Sequence, residues 1–306
     1  MPVCFTTLAS GSGGNASLVK SQGPAVLIDF GLGPRQLSKR FNAIGTAWPT
    51  IGAVVLTHTH GDHWADRTLA YLRRLRIPLY CHTDHHLPMQ AYGNEFAGLR
   101  AAGLVHTFEV GETFRPAPGL TCRAFPVSHD GATFGFRFEG QRDLFGPPTA
   151  LGYAADLGSW TPELAATLAE VDLLALEFNH DVHLQKNSGR APFLIRRNLG
   201  DRGHLSNDQA ADLVAEILRL SPRGRLRNLV QLHLSRDCNR PDLARAAAAA
   251  VLADDAECAI HTASQHEPGP TLEAGQSSRR VRRAVRPRRP ARAQRPVHPW
   301  LPGLGP

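Results

Sequence analysis

The chain has 306 residues, 42% of them hydrophobic, which is enough to bury one large core or two small ones. No apolar run approaches the roughly 20 residues of a membrane span, and Met1-Pro2-Val3-Cys4-Phe5 shows no basic segment leading into an apolar one, so neither a membrane segment nor a secretory leader is expected. Nine of the 34 basic residues and none of the 27 acidic ones lie in 276–306, so residues 1–275 carry 25 against 27 and are close to neutral.

Residues 3–8 are apolar and predict a first strand. Ser10-Gly11-Ser12-Gly13-Gly14-Asn15 then forms a glycine-serine loop, followed by strands over 16–20 and 25–29. Such a loop exposes backbone N–H groups that could approach a phosphate or a metal-bound oxygen. It has neither a Walker lysine nor the spacing of a dinucleotide fingerprint. Pro34 opens a helix over 34–44. A buried strand comes next and ends in Thr57-His58-Thr59-His60-Gly61-Asp62-His63. A helix follows over 66–75, then a short strand at 78–80. The histidines at 82, 85 and 86 sit at a helix start, where local capping explains them.

Residues 120–127 and 133–138 predict a hairpin with Ser128-His129-Asp130-Gly131 between them. Residues 151–156 form a strand ending in Asp156, 160–170 a helix, and 173–177 a buried strand running into Glu177-Phe178-Asn179-His180-Asp181. A basic loop leads to Gly203-His204-Leu205-Ser206-Asn207-Asp208, with Asn207 or Asp208 capping a helix that reaches about 220. A strand at 228–232 ends in His233, residues 241–252 are an alanine-rich helix, and 258–262 is the expected last strand. From 276 the composition is arginine and proline with too few apolar residues to fold alone. That tail is read either as a disordered extension or as a contact for phosphates. Five scattered cysteines without a Cys-x-x-Cys pair argue against a disulfide framework and for a reducing cytoplasm.

Four ligand-type residues in six positions, directly after a buried strand, point to a borderline divalent metal such as zinc. Separate strands also deliver His129, Asp156 and His233 at their C-terminal ends, where distant segments can converge on one edge of a sheet. The 58–63 stretch resembles the His-x-His-x-Asp-His signature of the metallo-β-lactamase superfamily. Together with the 10–15 loop, Leu27-Ile28-Asp29-Phe30-Gly31, Glu177-Phe178-Asn179-His180-Asp181, Gly203-His204-Leu205-Ser206-Asn207 and His233-Leu234-Ser235, it is similar to the bacterial WalJ/YycJ group, relatives of RNase Z and PhnP-like phosphodiesterases, over roughly residues 3–272. Arg236-Asp237-Cys238-Asn239 departs from that likeness, where a longer asparagine-rich stretch is expected.

The resemblance implies an α/β fold, an αββα sandwich of two face-to-face sheets with helices outside, forming one hydrolase domain over 1–275. It implies one metal on His58, His60 and His129, a second on Asp62, His63 and His233, and Asp156 bridging them. No cysteine occupies these positions, which favours two zinc or manganese ions and hydrolytic chemistry. Two such ions about 3.5–4 Å apart would lower the pKa of a bridging water to supply hydroxide. Asp62 would orient that nucleophile, and His204 matches an RNase Z-type histidine that clamps the phosphoryl oxygen or protonates the leaving alkoxide. Ser10, Asn15, Asn179, His180, Asp181 and Ser206 are candidates to orient ligands or substrate, while Glu177 reads equally as structural or functional. The implied activity is a DNA exonuclease. RNA or small-molecule phosphodiester hydrolysis, lactone or thioester hydrolysis, and a non-enzymatic nucleic-acid-binding module are the alternatives.

Overall fold

A computed structural model describes residues 2–141, 148–253, 255 and 257–276, so the arginine-rich tail lies outside the described residues apart from Gln276. In chain order the strands are β1 (Cys4–Ala9), β2 (Ala16–Lys20), β3 (Ala25–Ile28), β4 (Ile51–Val55), β5 (Leu79–Cys81), β6 (Val105–Thr107), β7 (Thr113–Ala117), β8 (Leu120–Pro126), β9 (Phe134–Gly140), β10 (Ala150–Ala154), β11 (Leu173–Glu177), β12 (Asn228–Leu232), β13 (Ala259–Thr262) and β14 (Leu272–Glu273). The helices are α1 (Pro34–Ala43), α2 (Asp66–Leu75), α3 (His86–Tyr92), α4 (Glu95–Ala101), α5 (Pro162–Leu168), α6 (Val182–Lys186), α7 (Pro192–Leu199), α8 (Asn207–Leu220) and α9 (Pro241–Val251). Among the described residues no helix is long and apolar enough to cross a membrane.

The strands form two seven-stranded sheets, ordered β14-β1-β2-β3-β4-β5-β6 and β13-β12-β11-β10-β9-β8-β7. Continuous apolar strands arise because both faces of each sheet are covered. In β3, Val26 and Ile28 face the other sheet, while Ala25 and Leu27 face the outer layer that holds Phe41 of α1 and Leu69 and Leu72 of α2. In β11, Leu173 and Ala175 point inward, while Leu174 and Leu176 pack with Leu164 of α5 and Leu213 and Ile217 of α8. The period of two thus splits each strand between two cores. The result is the expected αββα sandwich.

Three local features differ from the sequence reading. The chain does not end its sheets at β13, since β14 adds antiparallel to β1 through Cys4–Glu273 and Phe5–Leu272. Two residues are too short to leave an alternating pattern. The basic segment read as a loop holds α6 and α7, and α7 has no buried residue, so it shows no inward-facing period. Helix α8 is capped by Ser206, not by Asn207 or Asp208: Ser206 Oγ accepts from Gln209 N, and Gln209 Oε1 accepts from Ser206 N. The reciprocal pair satisfies two orphan donors at once. The 82–86 histidines do serve local structure, with His82 capping a 3-10 turn and the buried His85 Nε2 2.9 Å from the Ala132 carbonyl.

Strands β3 and β4 are parallel to each other, as are β10, β11 and β12, so their C-terminal ends share one edge of the sandwich. The glycine-serine loop closes over that edge. Asn15 N donates to the Asp62 carbonyl at 2.7 Å, Phe30 N to that of His63 at 2.8 Å, and Gly31 N to that of Asn15 at 3.0 Å. A Cβ on Gly31 would overlap the Asp62 carbonyl oxygen, so only glycine allows this approach. Gly31→Ala should therefore push the Asp62–His63 turn outward, costing about 1–3 kcal/mol by overpacking. Denaturant midpoints and metal analysis of the purified variant test this; an unchanged midpoint with full metal content would show that the turn does not depend on the contact.

Candidate metal centre

Each candidate ligand stands just past the end of a strand. His58 to His63 follow β4, His129 follows β8, Asp156 follows β10 and His233 follows β12. Asp29, Asp156 and His233 adopt left-handed backbone angles, with φ of 59°, 57° and 53°. Such conformations are sparsely populated for residues other than glycine and persist only where the surroundings hold them. Here they turn the side chain off the strand axis and into the gap between the sheets.

His58, His60 and His129 form one cluster, with their ligand atoms within 4.8 Å of one another. The His58 ring is held through Nδ1, 3.0 Å from Thr57 Oγ1, and His129 Nδ1 donates to the Gly203 carbonyl at 2.8 Å. His60 Nδ1 lies 3.4 Å from His129 Nε2. Burial lowers the pKa of all three imidazoles, so they present neutral nitrogen lone pairs. His58 Nε2 is buried without a hydrogen-bond partner.

Asp62, His63 and His233 form the second cluster. Its imidazoles rest on carboxylates. His63 Nδ1 is 2.7 Å from Asp29 Oδ2, and His233 Nδ1 is 3.0 Å from Glu177 Oε1. Their Nε2 atoms face inward, 2.8 Å from Asp156 Oδ2 for His63 and 3.4 Å from Asp62 Oδ2 for His233. Burial disfavours charge on His63, but Asp156 and Asp29 outweigh it and lift its pKa to about 10. His233, also opposed by burial, is raised by Asp156, Asp62 and Glu177. A divalent ion at these nitrogens has to displace their protons.

Asp156 lies between the clusters, grouped with His58 and His63 on one side and with His204 and His233 on the other. Its Oδ2 is buried and accepts no well-aligned hydrogen bond, although His63 Nε2 is close. An orphaned carboxylate oxygen and an orphaned imidazole nitrogen in one buried cluster of histidines and aspartates suit a divalent cation. The seven sequence candidates are thus brought together.

The remaining candidates divide. Asn15 Nδ2 reaches His63 Nε2 at 2.9 Å and Asp62 Oδ2 at 3.3 Å, Asn179 Nδ2 donates to the His233 carbonyl at 2.9 Å, and Ser10 Oγ accepts from His233 N at 2.8 Å. The side chains of Asp181 and Ser206 instead cap the N-termini of α6 and α8, accepting from Leu184 N and Gln209 N. His180 is fully buried, and among the described residues neither ring nitrogen has a hydrogen-bond partner.

Two further residues are central to the site: Asp29, which the sequence reading did not place there, and Glu177, which it read equally as structural or functional. Asp29 holds His63 and also accepts from Thr57 N and Oγ1. Glu177 accepts from His204 Nδ1 at 2.8 Å and His233 Nδ1 at 3.0 Å on one oxygen, and from Leu157 N and Leu205 N on the other. Burial would raise its pKa, but His204 and His233 outweigh that and hold it at about 2. The available signal was an acid closing an otherwise apolar strand, because a carboxylate there is buried and needs partners.

The model of a beta-lactamase superfamily domain matches residues 25–220. Exodeoxyribonuclease WalJ of Streptococcus pneumoniae is 28% identical over 241 residues, covering 78% of this chain and 84% of its own length. Exodeoxyribonuclease YycJ of Bacillus anthracis is 27% identical over 255 residues, covering 82% and 90%. The metallo-beta-lactamase fold protein YhfI from Bacillus subtilis superposes with a TM-score of 0.62 at 19% identity, over 89% of this chain and 100% of that one.

A carboxylate shared by both clusters makes a specific prediction. Asp156→Ala should lower divalent metal content at both positions together, measured by elemental analysis after dialysis; loss of a single equivalent would remove Asp156 from one of them. Glu177→Gln places an amide N–H against groups that are already donors. It should weaken metal binding by about 10- to 100-fold and destabilise the fold by about 1–3 kcal/mol. Metal titration and chemical denaturation read the two effects separately, and wild-type values in both would leave Glu177 with no role.

Proposed function

The chain belongs to the beta-lactamase superfamily, and from that premise we propose that it is a metal-dependent phosphodiesterase acting on nucleic acid, specifically an exodeoxyribonuclease. His58, His60 and His129 would hold one metal, Asp62, His63 and His233 the other, and Asp156 would serve both. When bound, two divalent ions lower the pKa of a water and offset the charge of the phosphodiester. The names of the WalJ and YycJ relatives support the substrate class.

The observation that carries the reading is His204. Its Nδ1 is fixed on Glu177 at 2.8 Å and lies 3.5 Å from Asp156 Oδ1, while the ring lines the cleft beside His233. Nε2 is therefore the nitrogen left for substrate. Burial opposes protonation, but Glu177 and Asp156 outweigh it and raise the His204 pKa. A fixed imidazole of this kind, when protonated, can donate a proton to a departing alkoxide or clamp a phosphoryl oxygen. Asp62, with a side chain 24% exposed, combines contact with His233 and access to solvent, and is placed to orient a water and take its proton. Hydrolysis of a lactone or thioester has less use for such a donor, because bound metals alone can activate a carbonyl.

Sugar alkoxides leave poorly and nitrophenolate leaves readily. His204→Ala should keep both metals while losing on the order of 10²–10⁴ in rate on DNA, with a much smaller loss on bis-p-nitrophenyl phosphate. Equal losses on both substrates would assign His204 to oxyanion stabilisation instead. Cleavage of DNA by the variant at the parent rate would make His204 structural and remove it as the support for this reading.

A further inference from the structure

Residues 182–200, which hold α6 and α7, carry Lys186, Arg190, Arg196 and Arg197 and no acidic residue. Helix α7 buries none of its side chains, and Phe193 is 62% exposed. A helix with so little hydrophobic anchorage is held by other means. His204 N donates to the Asn198 carbonyl at 3.1 Å, and Arg202 Nε donates to the His129 carbonyl at 3.2 Å. Ser128 and Ser159 both donate to the Asp201 carbonyl. Gly203 lies so close under the carbonyls of Arg197 and Asn198 that a Cβ would overlap them. The helix is therefore tied to the same backbone that carries His129 and His204.

Leu194, Arg197 and Asn198 follow the i, i+3, i+4 spacing of one helix face. With Arg190 they line a cleft of about 260 Å³ that His204 and His233 also line. Phe193 stands one turn before Arg197 and next to Leu194 in the chain, with its side chain exposed. Arg190 is paired with Asp237 at 3.0 Å and Arg197 Nε with Asp130 at 3.0 Å, and the two carboxylates are 57% and 40% exposed. Ion pairs this exposed are weak and exchangeable. A phosphate offers the guanidinium fork a better-matched, more highly charged partner.

We propose that α6–α7 grips a single-stranded DNA end beside the metal centre, with Arg190 and Arg197 on the phosphates flanking the scissile one and Phe193 stacked on an unpaired base. The proposal rests on reading the chain as a nuclease and names the form of substrate. An exposed aromatic ring beside a basic cleft matches the stacking platforms of single-strand binders. A base inside a duplex has no free face to offer it, whereas an unpaired end does.

The test uses the full-length, metal-loaded protein. Its binding to a labelled phosphorothioate oligothymidylate is followed by anisotropy across a salt series, and its KM and kcat are measured on the cleavable strand. Phe193→Ala should weaken binding and raise KM by about tenfold. Phe193→Trp should restore both, and Phe193→Leu, apolar but without a stacking face, should not. Arg190→Ala with Arg197→Ala should flatten the plot of log affinity against log salt by roughly 0.7 for each arginine. Metal content confirms in each variant that the centre is intact. If the parent binds and cuts the strand and the variants match it, this inference falls alone. If the parent neither binds nor cuts the single strand but degrades duplex DNA, this inference again falls alone; if it degrades neither, the nuclease reading falls with it. A change in sedimentation on replacing Phe193, with DNA affinity intact, would make the face a contact between copies of the chain and overturn the proposal.

Discussion

Three fully buried carboxylates, Asp29, Asp156 and Glu177, meet in the layer between the ends of the two sheets, and imidazoles are what keep them there. An isolated carboxylate at such a depth would neutralise or force the structure open. Asp29 stands against His63, Glu177 against His204 and His233, and Asp156 against His63 and His233. Much of the architecture serves that arrangement. Parallel strands bring their carboxyl ends to one edge, the glycine-serine loop covers it, and backbone N–H groups of Leu157 and Leu205 complete the coordination of Glu177. The centre is also lopsided. The His58 cluster rests on a hydroxyl and a carbonyl, while the His63 and His233 cluster rests on anions.

What was legible in the sequence was what the chain writes locally. The 58–63 stretch packs four donors into six positions, and apolar runs of the right length announced β3, β4, β11 and β12. The supporting carboxylates were not legible because their partners are far away in sequence. Asp29 and His63 are 34 residues apart, and Glu177 and His233 are 56 apart. Only the closure of the sandwich shows that an acid at the end of an apolar strand faces an imidazole. The caps were misread for the opposite reason: Ser206, Asn207 and Asp208 are all plausible caps, and the reciprocal bond to Gln209 selects Ser206. Short elements such as β6, β14 and α7 bury too little to leave a pattern.

The same sandwich can carry many chemistries, so what distinguishes one chain from another lies on the rim. In this chain the rim is asymmetric. Across the cleft from the glycine-serine loop, the connection between β11 and α8 is extended into two helices whose charged side chains are all basic. The framework beneath is fixed by core packing and buried hydrogen bonds. The rim is fixed by a few contacts to carbonyls around His129 and His204, so its side chains can vary without disturbing the donors below.

The left-handed backbone at Asp29, Asp156 and His233 has an evolutionary consequence. Glycine adopts that conformation freely, whereas each of these residues gives up on the order of 1–2 kcal/mol to hold it. At these three places, therefore, the residue that would best suit the main chain is one that could neither reach a cation, as Asp156 and His233 would, nor hold the imidazole of His63, as Asp29 does. A lineage released from the need to cut its substrate would be free to drift toward glycine there, growing sturdier as it lost its chemistry.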